Sequence, residues 1–226
     1  MTLTLENVEV TIQAAPILRG VSFELGNGER LGLVGRNGAG KTTVMRTITG
    51  LANLAGGRVS WNGEDISQMP PRERARLGFG YMPEDRRLVP DLTVEENMLL
   101  PAWANSDIDG DTGLAFVYDL MPELTQMAAR KALLLSGGQQ KMVALGRALI
   151  AGRRVLLLDE PFEGVAPALA KRISEVITSL RGEGLSVLIA QSELSHSLDL
   201  LQRECVIERG EIIKVNVIDA KPAAQA

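Results

Sequence analysis

The chain has 226 residues, 45% of them hydrophobic, and 24 basic against 28 acidic side chains leave it at −4 with a pI of about 5.2. That length suits one large domain or a domain with a subdomain, and the hydrophobic share is ample for a packed core. The acidic balance argues against nucleic acid as the main partner, and a single cysteine, Cys205, excludes an internal disulfide and fits a reducing compartment.

The N-terminal "LTLENVEVTI" alternates apolar and polar residues, "GVSFEL" follows, and "RLGLVG" is a short apolar run, so the first thirty-odd residues read as strands. This start resembles neither a signal peptide nor a spanning helix, and no run is long enough to cross a bilayer. A helix is predicted from about Lys41, and a short strand over 58–61 ends in the turn "NGED". From Pro70 to about Arg130 the pattern is helical and polar, with helices expected at 72–77, 93–100, 113–120 and 123–130. After Ser136 the elements alternate: helix 138–150, strand 154–158, helix 168–182, strand 185–190, helix 194–201 and two short strands. Alternation of this kind indicates an α/β core with a parallel sheet, interrupted by a helical insertion over about 85–150. Cys205, in "CVIE", reads as a buried structural thiol, and the Ala-rich end, 221–226 above all, as a disordered tail.

"GRNGAGKTT", Gly35 to Thr43, fits the P-loop pattern G-x-x-x-x-G-K-[ST]. Gly35, Gly38 and Gly40 let the backbone bend, so that N–H groups of Arg36, Asn37 and Ala39 and their neighbours can turn toward an anion. A helix starting at Lys41 adds its positive end. Lys41 would reach the outer phosphates of ATP, and the Thr42 hydroxyl, with Thr43 beside it, would meet Mg²⁺. "VLLLDEP", Val155 to Pro161, is an apolar run ending in two acids, where an α/β sheet places its ligands. Asp159 would hold Mg²⁺, and Glu160 would orient or deprotonate the attacking water. "LSGGQ", Leu135 to Gln139, opens a further helix, with Ser136 as N-cap and Gly137 and Gly138 keeping its start bare.

These motifs, in this order and spacing, resemble the nucleotide-binding subunit of an ABC transporter, and the resemblance spans essentially the whole chain. It implies a P-loop NTPase of the ABC ATPase type, with an N-terminal antiparallel β region and an inserted helical subdomain. It implies a single domain over 1–220. It further implies a dimer in which Ser136, Gly137, Gly138 and Gln139 of one subunit cap the ATP held by the other. Transmembrane permease subunits, and indirectly a solute-binding protein, would be the remaining partners, with the chain on the inner face of the cell membrane. "GYMPEDRRLVPDLTVEENM", Gly80 to Met98, and "DEPFEGVAP" resemble the LivF type of branched-chain amino acid importers. The family's pattern places Glu84 at the γ-phosphate and near Mg²⁺, and Ile12 where an aromatic ring usually meets adenine. It places Ser192, with Gln191 beside it, where a switch histidine usually stands. His196, four residues later, is then not the switch. Arg86 and Arg87 read equally well as a solvated turn. A soluble ABC protein and a subunit that binds ATP with little turnover remain as alternatives.

Overall fold

The structure is a computed structural model, and it describes residues 1–180, 184–193 and 198–218. β1 (Leu3–Ile12) and β2 (Ala15–Leu25) form an antiparallel hairpin. Gln13 and Ala14 join them with φ of 47° and 65°, the pair of left-handed residues that a two-residue turn of matching twist needs. After β3 (Arg30–Val34) and α1 (Lys41–Ile48), β4 (Gly56–Trp61) pairs with β1, and the short β5 (Glu64–Asp65) pairs with β4. The first sheet therefore runs β2-β1-β4-β5.

The second sheet contains β3 with β6 (Phe79–Met82), β7 (Val155–Asp159), β8 (Ser186–Gln191), β9 (Arg203–Glu208) and β10 (Glu211–Val217). Its order is β10-β9-β3-β8-β7-β6, parallel throughout except for β10. β6 corrects the sequence reading, which assigned no strand between Pro70 and Arg130. With four residues, a glycine before it and another inside it, "FGYM" is too short to display a period, and its pairing with β7 alone makes it a strand.

Alternation along β7 divides the core. Val155 and Leu157 face one apolar cluster, with Val44, Met45 and Ile48 of α1 and the first sheet. Leu156 and Leu158 face the other, where the helices after β6 pack. These are α3 (Val94–Ala104), α4 (Gly110–Leu120), α5 (Gly137–Ala151) and α6 (Pro167–Ser179). Trp61 and Phe79 meet edge to face at 5.1 Å and join the two sheets. Arg74, on α2 (Pro71–Arg76), is buried and donates to the carbonyls of Thr47 and Ile48. It thus satisfies carbonyls at the end of α1 that lack helical partners.

The predicted helix over 93–100 runs on to Ala104, past Pro101. Its start is fixed by a capping box in which Thr93 and Glu96 exchange hydrogen bonds. The helix expected at 123–130 is instead a 3-10 helix, Pro122–Met127. The Leu124 and Ala128 amides bond three residues back, to Met121 and Thr125, which tightens the turn. Of the helix expected at 194–201, a 3-10 turn over Leu198–Leu200 is described. His196 and the tail 221–226 lie outside the described residues. Among the described residues no helix is long and apolar enough to cross a membrane.

Candidate active site

Strand β3 delivers Gly35 to the carboxyl edge of the parallel sheet, between β8 and β9. A side chain there would put its Cβ 2.3 Å from the carbonyl oxygen of Ile207, so only glycine lets β3 turn away. The loop closes on Gly40, whose φ of 112° is closed to other residues and which serves as N-cap of α1. Gly40 brings no side chain to cap α1 and the first turn carries no acid, so the positive end of the helix suits an anion. A cavity of about 400 Å³ opens over this loop, lined by Ile17, Asn37, Gly38, Gly40, Lys41, Thr42, Thr43, Glu84 and Glu160.

Lys41 is buried. Its ammonium donates to the carbonyls of Gly35 (2.6 Å) and Arg36 (3.3 Å) and pairs with Glu160 Oε1 at 3.0 Å. The Glu160 carboxylate is held from the other side by Ser192, whose hydroxyl donates to Oε1 at 2.8 Å and whose amide donates to Oε2 at 3.2 Å. Ser192 Oγ also lies 3.1 Å from Asn37 Oδ1, so one hydroxyl stands between the turn after β7 and the loop after β3. Glu160 itself has φ of 50°, a conformation that a non-glycine residue keeps when its surroundings over-determine it. Its amide donates to Ala190 and its carbonyl accepts from Lys141. Gln191, buried at the end of β8, accepts the Gly35 amide on its carbonyl.

Asp159 is fully buried one residue earlier. Tyr81 on β6 donates to its Oδ2 at 3.2 Å, and burial holds the phenol protonated, well above its usual range. No hydrogen bond of ordinary geometry reaches Oδ1 among the described residues. Burial pushes the carboxyl up to about 6; the Thr42 and Tyr81 hydroxyls oppose this, while the charges of Glu84 and Glu160 add to it. A buried carboxylate with an orphaned oxygen beside a threonine hydroxyl fits a divalent cation, which would restore the ionised form. Among the described residues no cluster of three or more acidic, His or Cys side chains could hold a metal alone. The arrangement therefore suits Mg²⁺, which takes one or two protein ligands and completes its shell with water and phosphate oxygens.

Glu84 is exposed and lines a second cavity of about 420 Å³ beside the first, with Arg46, Tyr81, Asp85, Arg147 and Asp159. The paired arginines that follow separate. Arg87 is exposed and bonds Asp85 in solvent, as a charged turn does. Arg86 is half-buried and reaches Gln140 Oε1 at 3.0 Å on α5. Both have positive φ, and the Arg147 guanidinium holds both of their carbonyls. α5 begins in a capping box between Ser136 and Gln139, with Ser136 and Gly137 exposed. Gly138 packs close to Leu169, where a Cβ would meet Cδ2 at 2.6 Å.

Ile12 is not among the residues lining the loop cavity. It stands at the hairpin tip, 43% exposed, whereas Ile17 on the returning strand does line the cavity. Tyr81, Ile17 and Lys141 were absent from the sequence reading. Tyr81 depended on recognising β6, and Ile17 on knowing where the hairpin turns.

The sequence profile of the family described as "ABC transporter" matches residues 18–163. This chain belongs to that family, as an ATPase. It is 37% identical over 196 residues to the high-affinity branched-chain amino acid transport ATP-binding protein BraG of Pseudomonas aeruginosa, covering 87% of this chain and 84% of that protein. It is 36% identical to the lipopolysaccharide export system ATP-binding protein LptB of Haemophilus influenzae, covering 93% and 88%. Among solved structures it is similar to the ADP conformation of MJ1267, an ATP-binding cassette of an ABC transporter, with a TM-score of 0.81 and 28% identity over 96% of this chain and 91% of that one. A nucleotide-free ATP-binding cassette from an ABC transporter gives 0.84 and 27% over 98% and 96%. The likeness covers 96% and 98% of this chain, so it takes in both sheets.

Proposed function

We propose that this ABC ATPase powers an importer of branched-chain or similar amino acids. Two such subunits would alternate between an ATP-closed and an open dimer beneath membrane permease subunits on the cytoplasmic side. Likeness to BraG over 87% of the chain carries the choice of solute. A second reading, export of a lipid-linked saccharide, is favoured by the LptB likeness at nearly the same identity over more of the chain. The two separate by reconstituting the chain with each type of permease. Stimulation of ATP hydrolysis by an amino-acid-loaded binding protein supports import. Stimulation by lipopolysaccharide, and none by the binding protein, overturns it.

In this reading the chain folds as one domain over residues 1–220, with the stretch at about 85–150 as its helical subdomain. The ATP phosphates enter the loop 35–43 and take Lys41 from Glu160. Thr42 and Asp159, with Glu84 nearby, would hold Mg²⁺, which would supply charge neutralisation to the phosphates. Glu160, released from Lys41 and still oriented by Ser192, accepts a proton from the attacking water. Gln191 supports the loop through its backbone, and Ser192 does the orienting that a histidine does in relatives with one. The adenine rests on aliphatic surface, with Ile17 placed to supply more of it than Ile12. Ser136, Gly137, Gly138 and Gln139 meet the partner's ATP, and the groove beside Glu84 receives the permease. The experiment is steady-state hydrolysis of Mg-ATP by the purified chain and its Glu160→Gln variant. Comparable rates would overturn the assignment of Glu160.

A further inference from the structure

We propose that Lys141 is a positioning residue for hydrolysis: from the helix that meets the partner's ATP, it holds the backbone of the carboxylate that serves this chain's own ATP.

Lys141 lies in the second turn of α5, four residues after Gly137, and is only 4% exposed. Its neighbours Met142, Val143 and Ala144 are buried and apolar. A lysine here loses hydration that a methionine would not need, so its ammonium must be satisfied inside the protein. Its hydrogen bonds go to backbone carbonyls rather than to carboxylates: Glu160 at 2.7 Å, and Glu163. These two carbonyls bracket the turn that leaves β7. Glu160 is the left-handed residue of that turn, so its backbone orientation sets where its carboxylate points. Its amide donates to the Ala190 carbonyl, its side chain takes Ser192 and Lys41, and its carbonyl accepts from Lys141 and from the Glu163 amide.

The direction of the link gives it consequence. Ser136 and Gly137 open α5 and are exposed. A helix is stiff over one turn, so a shift of its first residues carries Lys141 with it. Closure on the partner's nucleotide then bears directly on the aim of Glu160. The inference rests on the proposed roles of Glu160 and of the α5 N-terminus.

The test compares full-length Lys141→Met and Lys141→Gln with wild type in Mg-ATP hydrolysis, alone and combined with Glu160→Gln. ATP affinity is measured by calorimetry and folding by circular dichroism. Lys141→Met should lower kcat roughly ten- to hundredfold, the effect of a small misplacement of a reacting group, with KM and Kd within about threefold. Lys141→Gln keeps one donor for one carbonyl and should lose roughly three- to tenfold. If Lys141→Met does not fold, Lys141→Gln carries the same test. In the Glu160→Gln background either change should cost less than about threefold, because the group being aimed is already gone. Wild-type turnover by a folded Lys141 variant overturns the inference. So does a parallel loss of ATP affinity, or the full loss of rate recurring beside Glu160→Gln. Wild-type turnover by Glu160→Gln alone would instead remove the reading of Glu160, and the inference with it.

Discussion

Replacing Glu160 by Gln should change ATP affinity and turnover in opposite directions. In the structure Glu160 occupies Lys41 at 3.0 Å, at the place where phosphates would need that ammonium. Binding ATP therefore requires breaking a buried ion pair. With an effective dielectric of about 20, Coulomb attraction at this distance is roughly 5 kcal/mol before desolvation is set against it. Desolvation offsets most of that. Lys41 also keeps its bonds to the Gly35 and Arg36 carbonyls when the pair is lost. A net cost of about 1–2 kcal/mol to ATP binding remains, or roughly five- to thirtyfold in Kd. Gln keeps the size of the side chain but neither the charge nor a full set of acceptors. It faces Lys41 and two donors from Ser192, and one of its ends must point an N–H toward a donor. Calorimetry with Mg-ATP should show Glu160→Gln binding about five- to thirtyfold more tightly. Phosphate release should show turnover lower by roughly 10²–10⁴-fold. Weaker binding by the variant would refute the competition for Lys41, and near-normal turnover would refute the role of Glu160.

Lys41→Ala should abolish measurable ATP binding by calorimetry while preserving the circular dichroism spectrum, because alanine suits the start of α1; unchanged affinity would contradict the P-loop assignment. Ser136→Arg should leave ATP binding by the isolated chain within about threefold, since the residue is exposed and far in sequence from the loop, yet block dimer closure in light scattering. In a mixed dimer with one such subunit, hydrolysis lost at the mutant's own P-loop and kept at the partner's would show the trans contact to be wrong. Cys205 is fully buried, and burial raises its thiol to about 11, so an aromatic disulfide reagent should label it only as the protein unfolds; immediate labelling of native protein would contradict its place in the core. His196→Ala in the assembled transporter should keep its rate within about threefold, below 1 kcal/mol in barrier; a hundredfold loss would make His196 the switch.

The parts of the site that were legible in sequence are those made by contiguous residues. Gly35 to Thr43 carry their own backbone requirements, and Ser136 announces its cap with Gln139 three residues later. Val155 to Asp159 read as a buried strand because every position is apolar up to the acid. What was hidden joins distant segments. Ser192 finds Glu160 across 32 positions, Tyr81 finds Asp159 across 78, and Lys141 reaches Glu160 from α5. Lys141 in isolation reads as a polar helix residue, and only the sheet and α5 packed together show where its ammonium goes. Ile17 was hidden because the hairpin turn at Gln13 and Ala14 decides which residues cover the loop. β6 escaped because four residues cannot establish a period of two.

The most direct test is a structure of this chain with Mg²⁺ and a non-hydrolysable ATP analogue. The phosphates should lie in the loop 35–43 against Lys41, with the ammonium withdrawn from Glu160 beyond the ion-pair limit of roughly 4 Å. Ser192 should remain on the Glu160 carboxylate. A nucleotide seated elsewhere, or bound in the loop with Lys41 still on Glu160, would contradict the account.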